Sequence, residues 1–456
     1  MQKDITNSKD LEIPVISQQE EEEELKQIMR ELRENTISRF KNLLKLSIQE
    51  EVTDIMLVAK RSHYWRCGGR LMASRGTIWT PKELEILASY LLTGYKDGYK
   101  DGEIGNDEPI VSAELSYQID LSDEGDFYAT PEDSNDSQDP EILNQDLLQQ
   151  PNLHNPYLYE EKTLQRFRVS LFKEKGNFRI VLRVVPTEIR SLPELNLPSQ
   201  LEEIVKSLRG LVLVTGATGN GKSTTISAML EHINRTQVVH IITLEDPIEF
   251  IYREKLSVVT QREVLSENRY FYDVKDYSKG IREALRQSPD VIMVGEIRDA
   301  ATFEAVLTAA ESGHLVISAI HTADVMATLE KIISYYPQHE GKTILNRLSR
   351  SLTAIISQRL LPANSVKVSA ERVPAVEIMK VVAGTAECFR THEKINEIPE
   401  KIKGGKDLYG MQSFDQHIIE LVKQDFITID TAMSYASSPG EVQSQLTKLG
   451  KFISKR

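Results

Sequence analysis

The sequence predicts an α/β fold: a parallel sheet wrapped by helices, preceded by a smaller α+β domain. Three observations carry the prediction. An apolar, β-branched run, Leu211-Val-Leu-Val-Thr215, breaks into a glycine-rich turn and then into Thr225-Ile-Ser-Ala-Met-Leu230, which has helical composition. From there to about Ile320 short apolar runs alternate with helical segments, as strands and crossover helices do in a parallel sheet. Upstream, strands of alternating pattern end in a linker marked by Pro186, Pro193 and Pro198.

The turn, Gly216-Ala217-Thr218-Gly219-Asn220-Gly221-Lys222-Ser223-Thr224, fits the strand–GxxxxGK(S/T)–helix pattern of a phosphate-binding loop. Its glycines let the backbone curl so that consecutive N–H groups face phosphate oxygens, and the following helix adds its positive end. Lys222 is placed to reach the β- and γ-phosphates, and the Ser223 hydroxyl to ligate Mg²⁺. Residues 216–224 are thus the expected nucleotide site, with ATP and Mg²⁺ as cofactors.

A chain of 456 residues accommodates two or three domains with a sizeable core. No apolar run approaches the ~20 residues that cross a bilayer, and the polar start Met-Gln-Lys-Asp shows no secretory signal. Cys67 and Cys388 lie far apart and form no CxxC pair, which argues against a disulfide framework or zinc ribbon and for a reducing cytoplasm. The net charge of −13 is uneven: residues 1–165 carry roughly −16 and the rest roughly +3. That acidity argues against nucleic acid as a partner.

Taken in order, Glu20 to Glu24 form an acidic run, and Leu25, Ile28, Met29, Leu32, Phe40, Leu43 and Leu44 recur at helical spacing. The first 35 residues read as a solvated, partly helical extension. A helix ending near Ile48, a strand at 54–58, a turn through Cys67-Gly-Gly69 and a helix capped at Thr80-Pro81 follow. Residues 96–110 read as a loop, 116–121 as an edge strand and 122–160 as a long acidic, mobile insertion. Asp120 to Asp126 faintly resemble a calcium loop, but Pro131 stands where a bidentate Glu is needed, so that reading fails. Arg166–Ser170 and Phe178–Val185 read as a hairpin about Lys175-Gly176, its apolar positions alternating with Arg166, Arg168, Arg179 and Arg183.

In an open α/β sheet, ligands sit beyond the carboxyl ends of the strands. Three predicted strands end in Glu245-Asp246, in Gly295-Glu296 and in His321. One carboxylate can position the attacking water while another holds the metal's water shell. Gly295 stands where a strand of this kind usually ends in Asp, so metal contact falls to Ser223, water and Glu296, and His321 is placed to sense the γ-phosphate.

Four segments, Gly216–Ser223, Thr243-Leu-Glu-Asp-Pro-Ile-Glu249, Val294-Gly-Glu-Ile-Arg-Asp299 and Ala309–Val316 with Ile320-His-Thr322, resemble in order the Walker A, Asp, Walker B and His boxes of the type II/IV secretion ATPase superfamily. Within it the chain is most similar to the PilT/PilU-type retraction ATPases of type IV pili. Thr260-Gln-Arg-Glu-Val264, Ser357-Gln-Arg-Leu360 and Gly410-Met-Gln-Ser-Phe-Asp415 are further matches, and the likeness covers roughly residues 37–456 apart from the insertion. The resemblance implies an extension at 1–36, a PAS-like N-terminal domain at 37–188, a RecA-like ATPase core at 189–385 and a helical C-terminal segment at 386–456. It implies a homohexameric motor that hydrolyses ATP on the cytoplasmic face of the inner membrane, peripheral to it and docked on a platform protein. Glu296 becomes essential, Glu245 the water-activating acid, and Arg168 and Arg183 the arginines that reach the nucleotide. The family's middle hairpin arginine falls on Gly176, leaving Arg179 as a weaker replacement.

Two departures matter. The large extra N-terminal domain and tetracysteine zinc motif of pilus-assembly ATPases are missing, which favours retraction. The AIRNLIRE motif of PilT is replaced by Gly384-Thr-Ala-Glu-Cys-Phe-Arg-Thr-His392, which leaves an accessory, PilU-like motor as an alternative. The other rivals are a DotB-like ATPase of type IV secretion, a nucleotide-binding scaffold without useful hydrolysis, and a RecA-like nucleic-acid motor disfavoured by charge.

Overall fold

Two units, Met1–Val185 and Pro186–Arg456, divide the chain. The computed structural model describes residues 18–50, 52–67, 70–74, 76, 78–93, 112–120, 164–185, 188–265, 273–364 and 371–450. The loop expected at 96–110, the insertion expected at 122–160 and the glycines of the turn expected at 67–69 lie outside the described residues.

The first unit runs α1 (Gln18–Gln49), β1 (Asp54–Leu57), β2 (Tyr64–Cys67), β3 (Arg70–Ala73), α2 (Pro81–Thr93), β4 (Ser112–Asp120), β5 (Leu164–Glu174) and β6 (Asn177–Val184). Its strands form one antiparallel sheet ordered β3-β2-β1-β6-β5-β4. Helix α1 runs unbroken through the boundary expected at residue 36, because the same helical period carries on to bury Phe40, Leu43 and Leu44. Helix α2 starts as expected at Thr80. Its hydroxyl accepts from Glu83 N at 3.2 Å while the Glu83 carboxylate accepts from Thr80 N at 2.7 Å, a reciprocal cap. The β5–β6 hairpin turns on Lys175 (φ 52°) and Gly176 (φ 80°), the left-handed pair that suits a two-residue connection. Phe167, Val169, Leu171, Ile180 and Leu182 are buried on one face of this hairpin. Arg168 and Arg183 occupy the alternate positions and lie directly opposite each other in register.

The second unit opens with α3 (Gln200–Lys206), β7 (Gly210–Thr215) and α4 (Lys222–Thr236), then β8 (His240–Glu245) and β9 (Val258–Glu263). There follow α5 (Tyr277–Ala284), β10 (Val291–Val294), α6 (Ala300–Glu311), β11 (Leu315–Ile320), α7 (Val325–Ser334) and α8 (Gly341–Ser351). The strand pair β12 (Leu352–Pro362) and β13 (Arg372–Lys380) completes a sheet ordered β13-β12-β7-β11-β10-β8-β9. All neighbours pair in parallel except β13, which returns antiparallel along β12. The strands read as continuous apolar runs because both faces are covered: Leu211, Leu213, Ile242 and Ile292 join one core, Val212, Val214, Ile241 and Met293 the other.

Beyond β13 come α9 (Ala383–Arg390), α10 (Ile398–Gly404), α11 (Lys406–Tyr409), α12 (Phe414–Lys423), α13 (Ile429–Tyr435) and α14 (Pro439–Lys448). Phe414, Ile418, Leu421, Val442 and Leu446 pack on Leu361, Val373 and Ala375 of the strand pair. Among the described residues no helix is long and apolar enough to cross a membrane, and both cysteines are free.

Candidate active site

Strand order decides which side chains meet. Strand β11 lies between β7 and β10, so His321, just past β11, stands between Lys222, which follows the β7 turn, and Glu296, which follows β10. The geometry follows from that placement. Lys222 Nζ is 3.3 Å from His321 Nδ1, and His321 Nε2 is 3.1 Å from Glu296 Oε2. An ammonium can only donate, so Nδ1 accepts and Nε2 carries the proton that Glu296 accepts. Arg298 closes the row on the second oxygen of Glu296. Cation, neutral ring, anion and cation thus alternate across three neighbouring strand ends.

The glycine turn is built as its spacing predicts. Gly216 (φ 150°), Gly219 (φ 80°) and Gly221 (φ 78°) hold backbone angles that side chains disfavour. Ala217, Thr218 and Gly219 form the exposed crest, and Gly221 is the residue preceding α4. Lys222 lies inside the curl, donating to Gly216 O at 2.8 Å and Ala217 O at 3.1 Å. Burial lowers its pKa, opposed by the charges of Glu296 and Glu249. Thr218 Oγ1 is 3.3 Å from His321 Nδ1, and Ser223 and Thr224 sit half-buried on the first turn of α4.

Glu245 ends β8, two strands beyond β11 in the sheet, and is 5% exposed. Its carboxylate accepts from Thr243 Oγ1 at 2.6 Å, Gln261 Nε2 at 3.1 Å and Glu249 N at 3.3 Å. Burial pushes its pKa up to about 7 against those hydrogen bonds. No direct contact joins it to the Lys222–His321–Glu296 row. Glu249, four residues on, is exposed, and its charge acts on Lys222. It sits inside the Asp-box segment, and its position in sequence gives no sign of which of the two acids is free.

Gly295 has a steric reason. A Cβ there would lie 2.8 Å from Tyr277 Oη and 3.3 Å from Leu244 O, so the aspartate usual at this place has no room. Tyr277, from α5, fills it instead. Its hydroxyl is held far above the ordinary tyrosine pKa by burial and by the charges of Asp246 and Glu296. Sequence reasoning missed Tyr277 as it missed Arg298, whose identity was visible in the Walker B segment but whose partner was not.

The two expected arginines belong to the first unit. Arg183 Nε bonds Asp54 Oδ1 at 2.8 Å, and Asp54 also meets Arg66 at 3.6 Å. Arg183 keeps 65% of its side chain exposed, so its guanidinium retains free donors. Arg179 is tied to Glu174 at 2.7 Å.

The family described as type II/IV secretion system protein matches residues 158–438. A twitching motility protein of Neisseria gonorrhoeae is 39% identical over 64% of this chain and 75% of its own length. The type IV pilus retraction ATPase PilT of Pseudomonas aeruginosa is 37% identical over 63% of this chain and 80% of its own. The crystal structure of the pilus retraction motor PilT with bound ADP superposes with a TM-score of 0.66 at 29% identity, covering 88% of this chain and 98% of that one. A phosphate-loop strand order, the four ordered boxes and these matches converge: the chain belongs to the type II/IV secretion system protein family of ATPases.

Proposed function

We propose that this chain is the ATPase motor of type IV pilus retraction, working as a Mg²⁺-dependent homohexamer on a platform protein at the cytoplasmic face of the inner membrane. The observation that carries the reading is the row Lys222–His321–Glu296, which gathers a phosphate-binding cation, a polarisable ring and an acid at the mouth of the glycine turn. The names of the Neisseria and Pseudomonas relatives supply the biological task.

Among the described residues no group of three or more His, Cys, Asp or Glu side chains could hold a metal unaided. That suits Mg²⁺, which commonly takes one or two protein ligands and completes its shell with phosphate and water. Ser223 and Glu296 would hold it, and bound there it would neutralise charge developing on the phosphates. Lys222 exchanges its two backbone carbonyl partners for phosphate oxygens. His321 passes the presence of that phosphate to Glu296, because one ring nitrogen faces Lys222 and the other the acid. Arg168 and Arg183 are the arginines we propose to offset charge developing on the phosphates.

The burial contrast divides the acids of the Asp box. Glu249 orients the attacking water, and Glu245, wrapped by three donors, positions the 245–249 loop. Glu249→Gln therefore lowers kcat by about 10²-fold in steady-state phosphate release. Glu245→Gln acts mainly on stability. The folded chain keeps its Glu245 proton up to about pH 7 while the unfolded chain releases it near the ordinary 4.5. Stability accordingly falls as pH rises through that window and levels off above it. In Glu245→Gln, urea midpoints compared at pH 5 and pH 8 lose this part of the slope. A larger loss of kcat in Glu245→Gln than in Glu249→Gln would reverse the two roles.

Deleting the gene tests the biological reading. Excess pili that do not retract, with loss of surface motility, is the expected phenotype, restored by the parent gene. Bald cells point to pilus assembly instead, and unaltered pili and motility exclude both. The divergent segment around Gly384–His392, on α9, favours an accessory motor as the second reading. That motor's deletion leaves retraction slowed under load and not abolished.

A further inference from the structure

Strand β12 touches the phosphate loop chiefly through the side-chain amide of Gln358, which the proposed chemistry leaves without a role. Gln358 is 2% exposed. Its Nε2 donates to Asn220 O at 2.7 Å, and its Oε1 accepts from Thr225 Oγ1 at 2.6 Å. One side chain thus ties the loop (Asn220) to the helix that follows it (Thr225). Neighbouring residues of β12 add two bonds: Ser357 Oγ accepts from Thr215 Oγ1, at the end of β7, at 2.9 Å, and Leu360 N donates to Asn220 Oδ1 at 3.3 Å. The loop in turn is shaped to lie against this residue. A Cβ at Gly216 would fall 2.5 Å from Gln358 O, and one at Gly221 would fall 3.0 Å from Gln358 Nε2. Gly216 is therefore required by the β12 backbone as well as by its own backbone angle, and Gly221 is closely crowded by the Gln358 amide.

The consequence concerns one peptide plane. In a trans peptide the carbonyl and the following N–H point in opposite directions. Holding Asn220 C=O toward β12 turns Gly221 N–H away from that strand. We infer that Gln358 is a positioning residue: it fixes the Asn220–Gly221 peptide so that this N–H is ready to meet a phosphate, pre-organising the loop for the diphosphate that ADP and ATP share. Without it the peptide is free to flip, and nucleotide binding must then carry the ordering cost itself.

This inference rests on the loop being a phosphate site, so parent and variants are titrated side by side with ADP in the presence of Mg²⁺ by calorimetry. Gln358→Glu keeps the acceptor for Thr225 and loses the donor to Asn220 O. Gln358→Met keeps the volume and loses both bonds. Thr225→Val loosens the other end and serves if a Gln358 variant fails to fold. The expected result is a Kd for ADP raised by about tenfold, the size of one lost hydrogen bond, in both Gln358 variants. The KM for ATP rises in parallel, kcat changes by less than about threefold, and Thr225→Val gives a smaller rise. A merely structural role would lower the thermal midpoint and leave the Kd of the folded fraction unchanged, which overturns the inference. A parent that binds no ADP overturns the phosphate-site reading beneath it.

Discussion

Lys222→Ala abolishes measurable ATP turnover and weakens ATP binding by at least about 100-fold, while the fold is retained. Lys222 is 7% exposed, and its ammonium lies inside the glycine curl, within reach of two carbonyls and His321. A triphosphate entering that curl meets one side-chain cation held in place by the loop itself, and charge-assisted bonds in a partly desolvated site are the strong ones. Removing the cation takes away the one side-chain charge that the glycine curl itself holds for the phosphates. Burial disfavours the charged form of Lys222 in the folded chain, so its removal is expected to spare the fold. Circular dichroism and thermal midpoints at or slightly above the parent's accompany the loss. A fold that collapses with the activity contradicts the assignment of Lys222 to the ligand.

Glu296→Gln separates binding from turnover. The amide keeps the shape and can still accept from His321 Nε2, now 3.1 Å from the acid, but the charge is gone and Arg298 loses its ion pair. ATP binding stays within a few-fold of the parent, and kcat falls by about 10²–10³-fold. Glu296→Gln being isosteric, the comparison with Lys222→Ala distinguishes an acid that acts during hydrolysis from a cation that acts on the bound phosphate. Loss of ATP binding in Glu296→Gln, equal to that of Lys222→Ala, contradicts this division of labour.

What could be seen in the sequence was whatever rests on local spacing. The glycine turn, the three strand ends and the Lys175-Gly176 hairpin follow from backbone rules that act over a few residues, and each stands where the pattern puts it. The row Lys222–His321–Glu296 needs one further fact, that β11 runs between β7 and β10, which local spacing does not supply. Side-chain direction was hidden. Glu245 and Glu249 are the same residue type in one short segment, and only tertiary packing seals one and leaves the other in solvent. The glycine at 295 reads in sequence as a missing metal ligand, whereas in the fold the Tyr277 hydroxyl occupies the space a side chain there would take. Ser357-Gln-Arg-Leu360 stands out only as a family match, because the contact of Gln358 with the loop spans more than a hundred residues of chain and no local spacing shows it. Helix α1 shows the limit of reading boundaries from charge: the acidic run ends, but the helical period does not.

The most direct test of the central claim, that Lys222, His321 and Glu296 form one working ATP site at the glycine turn, is steady-state phosphate release from purified protein in Mg²⁺ and ATP, parent beside Glu296→Gln. The account predicts continuous release by the parent and near-background release by the variant, with ATP still bound to it. Equal release from the two, or none from a parent that is folded and assembled, contradicts it.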